Sequence, residues 1–250
     1  LEYYVKDAFA GSFQLAQDKK EEEYGKVLSY HGNQNNPPDF ILKGGDAFEV
    51  KKFEGKATAL ELNSSPPKDR LRADDSRITA YCIQCEEGKP WKEKDLFYAV
   101  GRVNGGKVKS LFIVHGRCYA AAREVYDRVA VPLKTRVASL IKEEGLESDP
   151  ETNELGKIRR VDPLGITNLR VRGMWEIQNP VKVFQGICAF DESKECSIAA
   201  LMTKEKFGSL PKGDADALKA NTGVSIKNVE VKDPNNPAKR IQAKLIEASW

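Results

Sequence analysis

Histidine is nearly absent from this chain: His31 and His115 are the two in 250 residues. A histidine-based triad or a histidine-rich metal centre therefore has little to draw on. No apolar run approaches the length of a membrane span, and no signal-peptide pattern is present. The chain opens on Leu1 instead of Met, which implies that residues before it have been removed or left out. Cysteine is scarce and odd in number: Cys82, Cys85, Cys118, Cys188 and Cys196. That fits a reducing cytoplasm better than a disulfide framework. Internal repeats and low-complexity tracts are also missing. The expectation is a cytoplasmic protein with no membrane partner.

What is present suits a soluble globular protein. Charged residues make up 31% and the net charge is only +3. A chain so balanced must segregate its charge if it binds nucleic acid, with a basic cleft and an acidic outside. Its length suits one large domain, or a domain with an elaborated subregion.

The most informative stretch is Pro37-Pro38-Asp39-Phe40-Ile41-Leu42-Lys43-Gly44-Gly45-Asp46-Ala47-Phe48-Glu49-Val50-Lys51. Two apolar runs flank a glycine pair, as in a β-hairpin. A three-residue loop of Gly44, Gly45 and Asp46 would pair Lys43 with Ala47, Ile41 with Glu49 and Asp39 with Lys51. That register sorts Phe40, Leu42, Phe48 and Val50 onto one face, and Asp39, Glu49 and Lys51 onto the other. A slip by one residue would destroy the sorting. The apolar face is expected to bury and the charged face to lie open. Two carboxylates can hold a divalent cation, and a neighbouring lysine can orient or deprotonate a water. Those are the parts of metal-assisted phosphodiester hydrolysis. The alternative is an ordinary surface hairpin with solvated charges.

This segment resembles the Pro-Asp…(Asp/Glu)-X-Lys signature of the restriction-endonuclease-like nucleases. Further blocks resemble the NgoPII family of type II restriction endonucleases. They are Leu1–Phe9, Gly32–Asp39, Gly45–Lys52, Leu62–Ser65, Arg159–Leu164, Leu169–Trp175 and Lys232–Lys239, in order along the chain. The resemblance implies Mg²⁺-dependent cutting of double-stranded DNA at the palindrome GGCC, and because a palindrome presents two equivalent strands a homodimer is expected. Asp39 and Glu49 would be metal ligands, helped by the Val50 carbonyl, and Lys51 the catalytic lysine. Glu2, in an opening helix, is a candidate to join them. Other nucleases of the superfamily, for repair or junction resolution, remain alternatives, as does a non-catalytic DNA-binding module.

The expected fold is α/β (α+β): a restriction-endonuclease-like core with a mixed central sheet flanked by helices, plus a β-rich C-terminal extension. A catalytic core over 1–145 and a DNA-recognition part over 146–250 are expected. Apolar runs at Leu96–Val103 and Val108–Val114 bracket Asn104-Gly105-Gly106-Lys107, a hairpin signal. Tyr119–Ile141 reads as the main helix, kinked or broken at Pro132.

Candidate DNA contacts fall in four groups. Asn33, Gln34, Asn35 and Asn36 precede the catalytic strand and offer amides to base edges and phosphates; a simple turn is the alternative. Ser64, Ser65, Lys68 and Arg70 follow the third strand and can grip the backbone, unless they form a solvated loop. Arg159, Arg160, Arg170 and Arg172, with Lys157, set five positive charges against one nearby acid, Asp162. Arg170 and Arg172 share a strand face and suit guanine, against the alternative of a salt-bridged surface. Asn236 and Lys239 lie in a polar, basic loop. Finally, Cys82, Cys85, His115 and Cys118 have the local spacing of a structural zinc site, although a lone CxxC is weak evidence.

Overall fold

The computed structural model describes residues 1–33, 36–86 and 90–250, with the Asn33 side chain also outside the description. The chain opens with helices α1 (Glu2–Ala10) and α2 (Gln17–Val27). Strands β1 (Leu28–Asn33), β2 (Asn36–Leu42), β3 (Ala47–Phe53), β4 (Leu60–Glu61) and β5 (Arg70–Arg72) follow. Next come α3 (Ala80–Ile83), β6 (Glu93–Asn104), β7 (Lys107–His115), α4 (Gly116–Tyr119) and the long α5 (Arg123–Glu143). After β8 (Gly156–Ile158), β9 (Leu169–Val171), β10 (Glu176–Ile177) and α6 (Pro180–Val183) the chain enters β11 (Ser197–Thr203). It closes with α7 (Lys204–Gly208), α8 (Lys212–Ala220), β12 (Val224–Asp233) and β13 (Asn236–Ser249).

Among the described residues one mixed sheet dominates, ordered β1-β2-β3-β6-β7-β11-β13-β12, with β5 paired to β6. β3 runs parallel to β6 and β11 parallel to β7, while the other neighbours are antiparallel. The expected fold class therefore stands, and the C-terminal strands β11 to β13 extend the main sheet. One face is lined by Phe40, Phe48, Phe97, Ala99 and Leu111, covered by Val5, Tyr24 and Phe207 from helices. Phe40 stacks on Phe48 at 5.0 Å, and Phe48 on Phe97 at 5.5 Å. These aromatic stacks fix the two hairpin strands against the sheet centre.

The chain divides into two compact units, neither continuous in sequence. The first comprises 1–60, 68–120 and 178–250 and holds the main sheet. The second comprises 61–67 and 121–177. Inside the second unit, α5 lies over β8 at a glycine. A Cβ on Gly156 would sit 2.7 Å from Val137 Cγ1 and 2.9 Å from Ile141 Cδ1. α5 is continuous through Pro132, so the expected break does not occur. The missing N–H costs one backbone bond, but Pro132 and Arg128 are exposed, so water can solvate the carbonyl left unpaired.

Candidate active site

The β2–β3 hairpin places Phe40 opposite Phe48 and Ile41 opposite Ala47. This is two residues from the expected register. Lys43, Gly44 and Gly45 form the loop: the Leu42 carbonyl accepts from Gly45 N–H at 2.9 Å, and Leu42 N–H donates to Asp46 at 3.0 Å. Gly44 supplies the left-handed turn at φ 62. Because side chains alternate with period two, a two-residue shift changes partners but not faces. Phe40, Leu42, Phe48 and Val50 belong to the apolar cluster as expected. The other face is not open, since Ile41 and Ala47 on it are fully buried.

Continuing the observed register one step sets Asp39 opposite Glu49. The strands part there, and Asp39 Oδ2 accepts the Val50 N–H at 2.6 Å. The N–H and C=O of one strand residue point to the same edge, so the Val50 carbonyl faces Asp39 too. Glu49 Oε1 meets Lys51 Nζ at 2.9 Å, their side chains 16% and 22% exposed. Burial pushes the Asp39 carboxyl well above the usual range, and the neighbouring Glu49 charge adds to the push. The Val50 hydrogen bond and Lys51 oppose it. Glu2 adds a smaller push, but its carboxylate is bound by Lys6 at 2.6 Å. Two crowded carboxylates and a lysine on one strand face thus have an unmet demand for positive charge.

Gly32 makes the arrangement possible. A Cβ there would lie 2.2 Å from the Pro38 carbonyl oxygen and 2.9 Å from Asp39 Cα. No side chain fits between β1 and the Pro38–Asp39 backbone.

The remaining candidates fare differently. Gln34 and Asn35 lie outside the described residues, as does the Asn33 side chain, while Asn36 Nδ2 donates to the Arg77 carbonyl at 3.0 Å. Lys68 is not the exposed loop cation expected. Its side chain is 10% exposed and its Nζ meets Asp75 at 2.7 Å. Arg70 pairs with Glu93 at 2.6 Å. In the second unit, Ser64 is half-buried, and Ser65 Oγ is buried with no hydrogen-bond partner among the described residues.

The arginine cluster is more neutral than its sequence suggests. Arg170 and Arg172 share a face of the β8–β9 ribbon, yet both bind Glu154, at 2.6 and 2.5 Å. Arg159 and Lys157 bind Asp149 at 2.8 and 2.9 Å, and Arg160 meets Glu147 at 3.6 Å. Asp162, expected to be the neighbouring acid, instead caps its own loop, accepting from the Leu164 and Thr167 N–H groups. Asn236 and Lys239 are exposed where the β12–β13 hairpin turns, not in a long loop.

The zinc alternative is not assembled. Among the described residues no three histidine, cysteine, aspartate or glutamate side chains converge as a metal cluster. His115 Nε2 instead faces Asp95 at 3.2 Å, and its ring stacks on Phe97. Burial pushes the Cys82 and Cys118 thiols up to about 12.

Sequence reasoning gave no role to Gly32, Tyr98 or Gly116. Their roles depend on contacts between distant segments, and no local pattern marks them. No described helix is long and apolar enough to cross a membrane.

A mixed central sheet flanked by helices is consistent with the α/β restriction-endonuclease-like fold. The sequence model of the NgoPII restriction endonuclease family matches residues 1–232. The chain is also 42% identical over 247 residues to the type II restriction enzyme NgoPII of Neisseria gonorrhoeae, covering 98% of this chain and 86% of the relative. The protein belongs to the NgoPII family of type II restriction endonucleases. It is an endonuclease whose partner is DNA. No solved structure matches it.

Proposed function

We propose that the protein cuts double-stranded DNA at GGCC as a cytoplasmic homodimer that requires Mg²⁺. The observation that carries the chemistry is the Asp39–Val50–Glu49–Lys51 grouping on one hairpin. Its donors are carboxylate and carbonyl oxygens, which suit a hard divalent cation, and the crowding that raises the Asp39 carboxyl favours one. Asp39 and Glu49, with the Val50 carbonyl, would hold Mg²⁺. The bound ion would neutralise developing charge on the phosphate and on the leaving 3′ oxygen.

The protein's own groups do the rest. Lys51 leaves Glu49 and its ammonium orients the attacking water, whose proton passes through solvent to the leaving 3′ oxygen. The water oxygen bonds to phosphorus as the bond to the 3′ oxygen breaks. A palindrome presents two equivalent strands, so a two-fold dimer sets one such site on each. Recognition is assigned to residues beyond 146, with Arg170 and Arg172 turning from Glu154 to guanine edges.

The test is a plasmid digest. With Mg²⁺ the expected product is a discrete ladder that maps to GGCC, and with EDTA the plasmid stays intact. Nicking that follows DNA structure instead of sequence would favour a repair or junction-resolving activity. Cutting that persists in EDTA would remove the metal role.

A further inference from the structure

Lys68 stands out as a buried cation that DNA affinity alone does not explain. β3 and β6 run parallel with Glu49 level with Tyr98, so the two side chains leave the sheet on the same face. The Tyr98 hydroxyl accepts the Lys68 N–H at 2.7 Å and donates to the Lys68 carbonyl at 3.1 Å. Gly116 lets that backbone approach: a Cβ there would lie 2.4 Å from the Asp69 carbonyl oxygen and 2.8 Å from that of Lys68. At the far end of the side chain Nζ meets Asp75, which is itself fixed by the Arg77 N–H at 3.0 Å. The Lys68 backbone is thus anchored on the face that carries Glu49, and its ammonium is anchored by Asp75.

Burial lowers the Lys68 pKa, while Asp75 and, more weakly, Glu49 act to raise it, so the Glu49 charge reaches this ammonium. An ammonium has three N–H donors. Among the described residues, Asp75 is the only hydrogen-bond acceptor at Nζ. A buried ammonium with donors to spare is costly unless another anionic acceptor comes to it. Beside Glu49 the acceptor that DNA brings is a phosphate oxygen.

We propose that Lys68 is a second ammonium of the cleavage centre, donating to a non-bridging oxygen of the scissile phosphate. This rests on the assignment of Asp39, Glu49 and Lys51 to that centre. Lys68 then contributes to the rate of cutting and not to general affinity.

The test compares Lys68→Met, Lys68→Arg and wild type on a GGCC duplex, with enzyme in excess and Mg²⁺ present. Binding to cognate and random duplexes is measured with Ca²⁺ across a salt series. Lys68→Met should cut about a hundredfold more slowly at saturation, as for loss of one preorganised donor to a transition-state oxygen. Its affinities and salt slope should match wild type, and Lys68→Arg should recover part of the rate. A single phosphorothioate at the contacted oxygen should slow wild type more than Lys68→Met. Lys68→Met leaves Asp75 buried without its partner, so Lys68→Met with Asp75→Leu provides a folded control and should show the same loss. Wild-type cutting by that double variant, an undiminished sulfur penalty, or equal affinity losses on both duplexes with a shallower salt slope would overturn the proposal. Failure of wild type itself to cut with Mg²⁺ would instead overturn the parent assignment.

Discussion

The β2–β3 hairpin and the β8–β9 ribbon both carry charged side chains on one strand face, yet they hold them in opposite ways. In the hairpin the groups are set by the backbone and by burial. Asp39 is fixed by the Val50 N–H, and Glu49 and Lys51 are 16% and 22% exposed. In the ribbon Arg170 and Arg172 are 55% and 54% exposed and are held through one carboxylate, Glu154. Glu154 itself is only 10% exposed, so the acceptor is fixed while the solvent-facing guanidinium ends are free to turn to another partner. A centre that performs chemistry needs fixed geometry, whereas a surface that meets varied DNA benefits from charges held loosely. The first region should therefore respond to small backbone changes and the second to loss of whole side chains.

The largest effect that would sharpen this contrast is expected from Gly32→Ala. Its Cβ cannot coexist with the Pro38 carbonyl oxygen at 2.2 Å, so β1 or the Asp39 backbone must move. A shift of about 1 Å costs on the order of a hundredfold in rate. Single-turnover cleavage should fall by that order while DNA binding persists; full activity would mean that the hairpin is looser than described. Next in size, Arg170→Ala or Arg172→Ala should cost about 1–3 kcal/mol on the cognate site and much less on random DNA. Equal losses on both, measured by binding across a salt series, would make these arginines backbone clamps.

The smallest effect concerns pH. The folded protein raises the Asp39 carboxyl from 3.8 to about 7, so the native state holds that proton more tightly than the unfolded chain. The stability this group contributes is full below its unfolded value and is lost as pH rises through about 7. Asp75 and Asp95, whose carboxyls are lowered, titrate below that window. His31, whose pKa burial lowers, acts in the opposite sense in the same window, so the comparison is between variants: in EDTA the melting temperature of wild type should decline relative to Asp39→Asn between pH 5 and pH 8. An unchanged slope in that variant would show that Asp39 is not crowded.

Sequence pattern made the hairpin legible because period-two sorting survives an error in register. Phe40 and Phe48 keep their face whether the loop begins at Lys43 or Gly44. The Asn104–Lys107 turn was legible for a different reason, its glycine pair between two continuous apolar runs. The ribbon was less so. The acidic stretch 143–155 lies just before the five cations in sequence and reads as a linker, but only the fold shows that Glu147, Asp149 and Glu154 pair with them and neutralise most of the excess. Lys68 was misread as exposed because Asp75 and Tyr98, which bury it, are joined to it only through turns and sheet order. Pro132 does not break α5, since local propensity does not record whether solvent can satisfy the carbonyl that proline frees.

The central claim is that the hairpin face of Asp39, Glu49 and Lys51 performs the cut while other surfaces supply the affinity. Lys51→Ala tests it most directly, in a paired measurement of single-turnover cleavage with Mg²⁺ and of cognate binding with Ca²⁺. The account predicts no detectable cleavage and affinity close to wild type. Substantial cleavage by Lys51→Ala on the same duplex would contradict it.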